Sequence, residues 1–168
     1  MVERILPTSA QSKIFDRRGL IKKVADLKDS GKIVVFTNGC FDLLHPGHVA
    51  VLETARSFGD VLVVAVNADS SVKKLNKGSN RPVNSEKDRA QVLASLGAVD
   101  LVTIFKEDTP IALLNALQPH VHVKGGDYQP KKLPEYKTIT AYGGVIKIVP
   151  LVKGKSTTAM LKKIGYAS

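Results

Sequence analysis

Apolar residues recur along the chain as short β-branched runs, separated by stretches of mixed polarity. Residues 33–37, 61–66, 101–105, 121–123 and 145–149 are five such runs, and each predicts a strand. Their near-continuous apolar character marks strands covered on both faces. Helical patterns fall between them. Residues 49–58 carry apolar side chains at 49, 52, 55 and 58, with Gly59 placed to stop the helix. Residues 86–96 are polar on one side and apolar on the other. Thr109-Pro110 is an N-cap followed by a proline in the first turn, and Pro119 closes that helix. Residues 22–28 and 157–164 predict two more, the last opened by Ser156. Residues 70–80 lack apolar periodicity, contain Gly78 and read as a flexible loop.

Strand–helix alternation implies right-handed crossovers. The expected fold is α/β: a Rossmann-like, doubly wound, parallel five-stranded sheet with helices on both faces. Residues 1–31 read as an N-terminal helical extension, and 32–168 as the body of what is a single domain overall. Ligands in such sheets bind beyond the carboxyl ends of the strands, where strand order reverses. The segments after strands one, four and five are therefore the places to search.

Composition narrows the chemistry. With 5% aromatic residues and no tryptophan, base-stacking platforms for nucleic acid are not expected. The net charge of +10 suits phosphorylated ligands. Part of it clusters at Lys73, Lys74, Lys77 and Arg81, and part at Lys153, Lys155, Lys162 and Lys163. Cys40 is the only cysteine, so no intramolecular disulfide can form. No apolar run approaches the ~20 residues of a membrane-spanning helix, and residues 1–10 lack the core of a signal peptide. The expectation is a cytoplasmic protein with no membrane partner.

The densest polar segment follows strand one: Thr37-Asn38-Gly39-Cys40-Phe41-Asp42-Leu43-Leu44-His45-Pro46-Gly47-His48. His45 and His48 stand three apart at a helix start, so both imidazoles can face one side. Free backbone N–H groups and the positive end of the helix dipole lie there too. Gly47 keeps no side chain between a phosphate and the backbone. No third metal ligand is close in sequence, so no protein-held metal is expected.

Gly39-Cys-Phe-Asp42 with His45-Pro-Gly-His48 resembles the first signature of the H-x-G-H nucleotidyltransferases. Gly154-Lys155-Ser156-Thr157-Thr158 resembles their second, a serine/threonine run opening a late helix. Asn67-Ala-Asp69, Arg81-Pro-Val-Asn84, Glu107-Asp-Thr-Pro110 and Lys124-Gly-Gly-Asp-Tyr128 are similar to the adenylyltransferase half of the bifunctional heptose kinase/adenylyltransferases. The resemblance runs from about Lys32 to Ile164 and includes no sugar-kinase domain, so a free-standing enzyme supplied by a separate sugar kinase is expected. It implies transfer of AMP from ATP to D-glycero-β-D-manno-heptose 1-phosphate, giving ADP-heptose for lipopolysaccharide cores and pyrophosphate.

The resemblance also implies roles. His45, His48, Lys73 and Lys77 would be catalytic, with the lysines closing over the phosphates. Thr37, Asn38, Gly39, Phe41, Gly47, Arg89, Lys124, Gly125, Asp127, Ser156, Thr157 and Thr158 would bind nucleotide. Asp42, Asn67 and Asp69 would bind the acceptor. Arg81 ranks below Arg89 as a site residue, and His120 and His122 read as structural. Mg²⁺ would enter with ATP, and a homo-oligomer, a dimer, is implied. A cytidylyltransferase for a polyol or amino-alcohol phosphate is the alternative. Glycerol-phosphate enzymes carry an arginine just before their Ser-Thr-Thr, where this chain reads Leu151-Val-Lys-Gly-Lys155. An RNA-binding module ranks last, because it leaves the histidine pair unexplained.

Overall fold

The computed structural model describes residues 9–75, 81–152 and 154–165. Strands β1 (Val34–Gly39), β2 (Val61–Asn67), β3 (Leu101–Phe105), β4 (Val121–Gly125) and β5 (Val145–Val149) form one sheet in the order β3-β2-β1-β4-β5. Every neighbouring pair is parallel, as the strand–helix alternation predicts. The chain enters at the central strand, winds outward through β2 and β3, then crosses back to lay down β4 and β5. Strand order therefore reverses between β1 and β4, and a crevice opens at their carboxyl ends.

Among the described residues, seven α-helices accompany the strands: α1 (Arg17–Asp29), α2 (Pro46–Arg56), α3 (Asp69–Lys74), α4 (Glu86–Ala94), α5 (Ile111–Leu117), α6 (Tyr136–Ala141) and α7 (Thr157–Lys163). Alternate strand residues feed two cores. On one face Val35, Leu62, Val64 and Val66 pack against Val51, Leu52 and Ala55 of α2 and against Ala90, Leu93 and Ala94 of α4. On the other, Val34, Phe36, Val63 and Ala65 meet Leu20 and Val24 of α1, the leucines of α5 and Ile139 of α6. A period of two with both faces covered makes every position apolar, so these runs read as continuous.

The edge strand β5 departs from that expectation. Its residues alternate between exposed and half-buried until Val149, and Val145 is 49% exposed. The strand is the edge of the sheet, with no pairing strand on one side among the described residues. The other edge is protected: Ile14 forms a parallel bridge with Val102, and the Phe15 amide donates to the Val102 carbonyl. Lys13 Nζ donates to the Val99 carbonyl beside it. The segment before β1 is thus packed into the molecule, and Leu20 is fully buried beneath the sheet.

Boundaries shift where side-chain pattern and backbone pairing part company. β1 runs on through Asn38 and Gly39, which pair with Ala65 and Val66. β4 likewise continues through Lys124 and Gly125 alongside β5. Backbone ladders do not require apolar side chains. α1 starts earlier than predicted because Asp16 caps it, its side chain accepting from the Gly19 amide. The predicted cap at Thr109 is corrected: α5 starts at Ile111, with Pro110 in the cap position and no side-chain cap. The predicted loop over 70–80 is corrected in its first half, which is the helix α3, pinned by buried Ser71 and Val72. One buried valine is too short a pattern to reveal a helix. Residues 76–80, including Lys77 and Gly78, lie outside the described residues, as does Lys153. No helix among the described residues is long and apolar enough to cross a membrane.

His122, in β4, stacks on Phe36 with centroids 5.6 Å apart, and neither ring nitrogen has a hydrogen bond among the described residues. Burial, helped by the charge of Lys124, lowers its pKa from 6.5 to about 3. A base with a depressed folded pKa is neutral in the native state and gains its proton on unfolding. Stability is therefore full above pH 6.5 and falls as pH drops toward 3. His122→Leu removes this term. The expected result is a melting temperature higher than wild type at pH 5, with the gap closing by pH 8. A gap of equal size at both pH values contradicts it.

Candidate active site

A cavity of about 470 Å³ opens at the carboxyl ends of β1 and β4, at the point where strand order reverses. β1 supplies Thr37, Asn38 and Gly39. The loop behind it supplies Cys40, Phe41 and Asp42, and the start of α2 supplies His45, Gly47 and His48. β4 contributes Gly125, and Leu151, Val152, Lys155, Ser156, Thr157 and Thr158 line the cavity as well.

The histidine pair is built by the helix start. His45 is the N-cap of α2, with extended backbone (φ −144°), and its carbonyl accepts from the His48 amide at 2.8 Å. The two rings stack at 3.9 Å between centroids, 20° from parallel. A Cβ at Gly47 would sit 3.0 Å from the His45 ring, a crowded contact that glycine avoids. His45 Nδ1 is buried and has no hydrogen-bond partner among the described residues. Burial holds the His45 pKa below the ordinary histidine value, and the charge of Lys155 lowers it further, outweighing the backbone hydrogen bond that raises it. His45 is therefore neutral near pH 7 and offers a single N–H to a ligand.

Phe41 adopts a left-handed backbone (φ 48°), uncommon for a bulky residue. Its ring lies against His48 at 5.4 Å and over Gly39, where a Cβ would come within 3.0 Å of it. The Gly-Cys-Phe sequence is thus a turn that backs the histidine pair with an aromatic ring. Across the cavity, a Cβ on Gly125 would meet Val51 at 3.1 Å and Leu151 at 3.3 Å. Glycine there lets the wall of β4 close onto α2.

Asp42, expected to bind the acceptor, lines the cavity and is engaged by the protein itself. It is 2% exposed, and protein donors occupy both of its oxygens. Oδ1 accepts from the amides of Val83 and Asn84, at 2.8 and 3.2 Å, and Oδ2 accepts from Arg81 Nε at 2.9 Å. Arg89, expected to bind nucleotide, does not line the cavity. It is 2% exposed, and its guanidinium donates to the carbonyls of Cys40, Asn67 and Asn84 and to Asp69 Oδ1. A side chain holding three backbone segments together is not available to nucleotide. Asp69 is held by that same pair, and Asn67 is buried, donating to Ser71 Oγ. Neither lines the cavity.

Lys73 is exposed on α3 and does not line the cavity either. Neighbouring Lys74 pairs with Asp108 at 2.9 Å. Asp127 is exposed, beyond the cavity wall. Lys124 directs its ammonium to Asn38 Oδ1 and Glu135 Oε1. The late helix matches expectation more closely. Ser156 caps α7, its side chain accepting from the Ala159 amide, and the Thr157 hydroxyl donates to the Leu43 carbonyl, tying α7 to the histidine loop.

Sequence reasoning undervalued two cations. Arg81 lines the cavity with its side chain 9% exposed, and its Nε donates to Asp42 Oδ2. Lys155 lies near enough to influence His45. The signal for Arg81 was the pairing of a distant aspartate with it, which spacing along a chain does not show. Among the described residues, no group of three or more His, Cys, Asp or Glu side chains is arranged to hold a metal ion.

Comparison with known proteins agrees with this geometry. A family profile described as cytidylyltransferase-like matches residues 36–160. "Bifunctional protein HldE" of Geotalea uraniireducens is 50% identical over 95% of the chain, and that of Aliarcobacter butzleri is 54% identical over 85%. The chain spans about a third of the length of these relatives: 32% and 29%. The crystal structure of the lipopolysaccharide core biosynthesis protein from Thermoplasma volcanium is 30% identical. It superposes with a TM-score of 0.61 over 74% of this chain and all of that one. Pantoate-beta-alanine ligase from Francisella tularensis, at 18% identity and a TM-score of 0.56 over 92% of this chain and 79% of that one, shares the fold. The histidine pair and the cavity at the switch point lie within the matched region, and the chain belongs to the cytidylyltransferase-like family of nucleotidyltransferases.

Proposed function

We propose that the protein is an adenylyltransferase that joins heptose 1-phosphate to the AMP portion of ATP. One observation carries the reading: two stacked imidazoles at the start of an eleven-residue helix, facing a cavity at the sheet's switch point. The similarity to bifunctional HldE proteins and to a lipopolysaccharide core biosynthesis protein supports a heptose phosphate as the acceptor.

In this reaction a phosphate oxygen of the sugar 1-phosphate attacks the α-phosphorus of ATP in line. The bond from that phosphorus to the β-phosphate bridging oxygen breaks, and pyrophosphate leaves with the electron pair. Such transfers need positioning and charge neutralisation rather than a protein nucleophile. His45 and His48 donate hydrogen bonds to the phosphates as charge builds, beside the α2 amides. Arg81 and Lys155 supply positive charge at the cavity wall. Mg²⁺, entering with ATP, would supply further charge neutralisation at the phosphates. Because the acceptor is already a phosphate monoester, a separate phosphorylating step supplies it, and a sugar kinase is the source that the similarity to bifunctional HldE proteins suggests.

A cytidylyltransferase is the second reading, and the family's description favours it. Against it stands the segment Leu151–Lys155, which has no arginine before the Ser-Thr-Thr. Initial rates of pyrophosphate release with each of the four nucleotides, across a panel of sugar and polyol phosphates, separate the two. The expected result is a clear preference for ATP with heptose 1-phosphate, and a preference for CTP would replace this reading with the second.

A further inference from the structure

The ammonium of Lys124, expected to meet nucleotide, has two protein partners. Nζ donates to Asn38 Oδ1 at 3.1 Å and pairs with Glu135 Oε1 at 3.0 Å. Glu135 immediately precedes α6, and its side chain is 4% exposed. Its second oxygen has no hydrogen bond among the described residues, so Lys124 is its main compensation. A buried carboxylate held this way fixes the lysine in return.

The consequence falls on Asn38. A lysine ammonium carries donors only, so the amide must turn its oxygen toward Lys124 and its NH₂ group away. Asn38 is half-buried at the carboxyl end of β1 and lines the cavity. Its Nδ2 makes no hydrogen bond among the described residues, and it is not one of the fully buried polar atoms.

We propose that Lys124 and Glu135 are a positioning pair that locks the Asn38 amide as a hydrogen-bond donor to an oxygen of a bound substrate. This rests on the adenylyltransferase reading. The ligand chemistry is an acceptor oxygen, either on the sugar phosphate or on the ribose of the nucleotide. A site preset as a donor discriminates against groups that cannot accept, because its own N–H would be left unpaired.

The test is calorimetric titration of ATP and of heptose 1-phosphate, separately, into wild type and variants, alongside steady-state kinetics. Asn38→Asp is isosteric and keeps its acceptor for Lys124, but it has no donor. It should retain the wild-type melting temperature while the affinity for one ligand falls about tenfold, a loss of ~1.4 kcal/mol. The corresponding KM should rise and kcat should stay within a few-fold. Glu135→Gln should weaken the same ligand by a smaller factor, and Lys124→Arg, which still donates, should bind nearly as wild type. Weakening of heptose 1-phosphate places the oxygen on the acceptor, and weakening of ATP places it on the nucleotide. Unchanged affinities for both ligands in Asn38→Asp overturn the proposal. So does a Glu135→Gln variant that loses melting temperature with both affinities intact. Wild-type turnover reads the adenylyltransferase proposal separately, because the titrations need no chemistry.

Discussion

His48→Ala is expected to lower kcat by ~10²–10³ while ATP affinity changes by only a few-fold, the pattern for a donor used mainly as transition-state charge develops. His45→Ala should lose a similar factor in kcat with a larger share in binding. Its Nδ1 is buried without a hydrogen-bond partner among the described residues, and its neutral ring offers one N–H to the phosphates. The rings stack at 3.9 Å, so removing either changes the packing of the other, and the double variant should cost less than the product of the singles. The measurement is steady-state and single-turnover kinetics on variants that keep the wild-type melting temperature. Near-normal turnover in either folded variant would show the pair to be architectural.

Asp42→Ala is expected to be the most destabilising single change near the site, by ~3–5 kcal/mol, because it leaves the buried Arg81 guanidinium without its counter-charge. The same carboxylate holds the amides of Val83 and Asn84, so the segment leading into α4 is released as well. Asp42→Asn keeps the shape and one acceptor and should fall between wild type and alanine. Urea unfolding gives the values. A loss under 1 kcal/mol for Asp42→Ala would mean that the pair contributes little and that Arg81 is held by something else. If Arg81 neutralises phosphate, Arg81→Lys should keep most of the stability but raise KM, since a lysine cannot hold Asp42 and offer a planar fork to a ligand together.

The central fold was legible because its cause is local and repeated. Buried β-branched runs alternating with helical patterns admit few arrangements other than a parallel doubly wound sheet. The crevice followed from topology, and the His45–His48 pair followed from spacing on a helix start. Elements with weak patterns were not legible: α3 rests on Val72, α6 on Ile139, and each buries too little to mark the sequence. The polar residues divided for a different reason. Asp42, Asn67, Asp69 and Arg89 belong to the same motifs as the histidines, and motif membership does not tell a residue that touches ligand from one that holds the motif together. Only tertiary pairing shows that Arg89 binds the Cys40, Asn67 and Asn84 carbonyls, while Arg81, ranked lower by sequence, faces the cavity. Lys124 shows the same limit, since its partner Glu135 lies in no motif.

The central claim is that AMP passes from ATP to a sugar phosphate. Phosphorus NMR of one reaction containing the protein, MgATP and heptose 1-phosphate tests it most directly. The predicted result is equal, concurrent growth of a diphosphate-bridged nucleotide sugar and of pyrophosphate, with the sugar 1-phosphate resonance declining in step. Release of orthophosphate with ADP, or an unchanged sugar phosphate resonance under conditions where ATP binds, would contradict it.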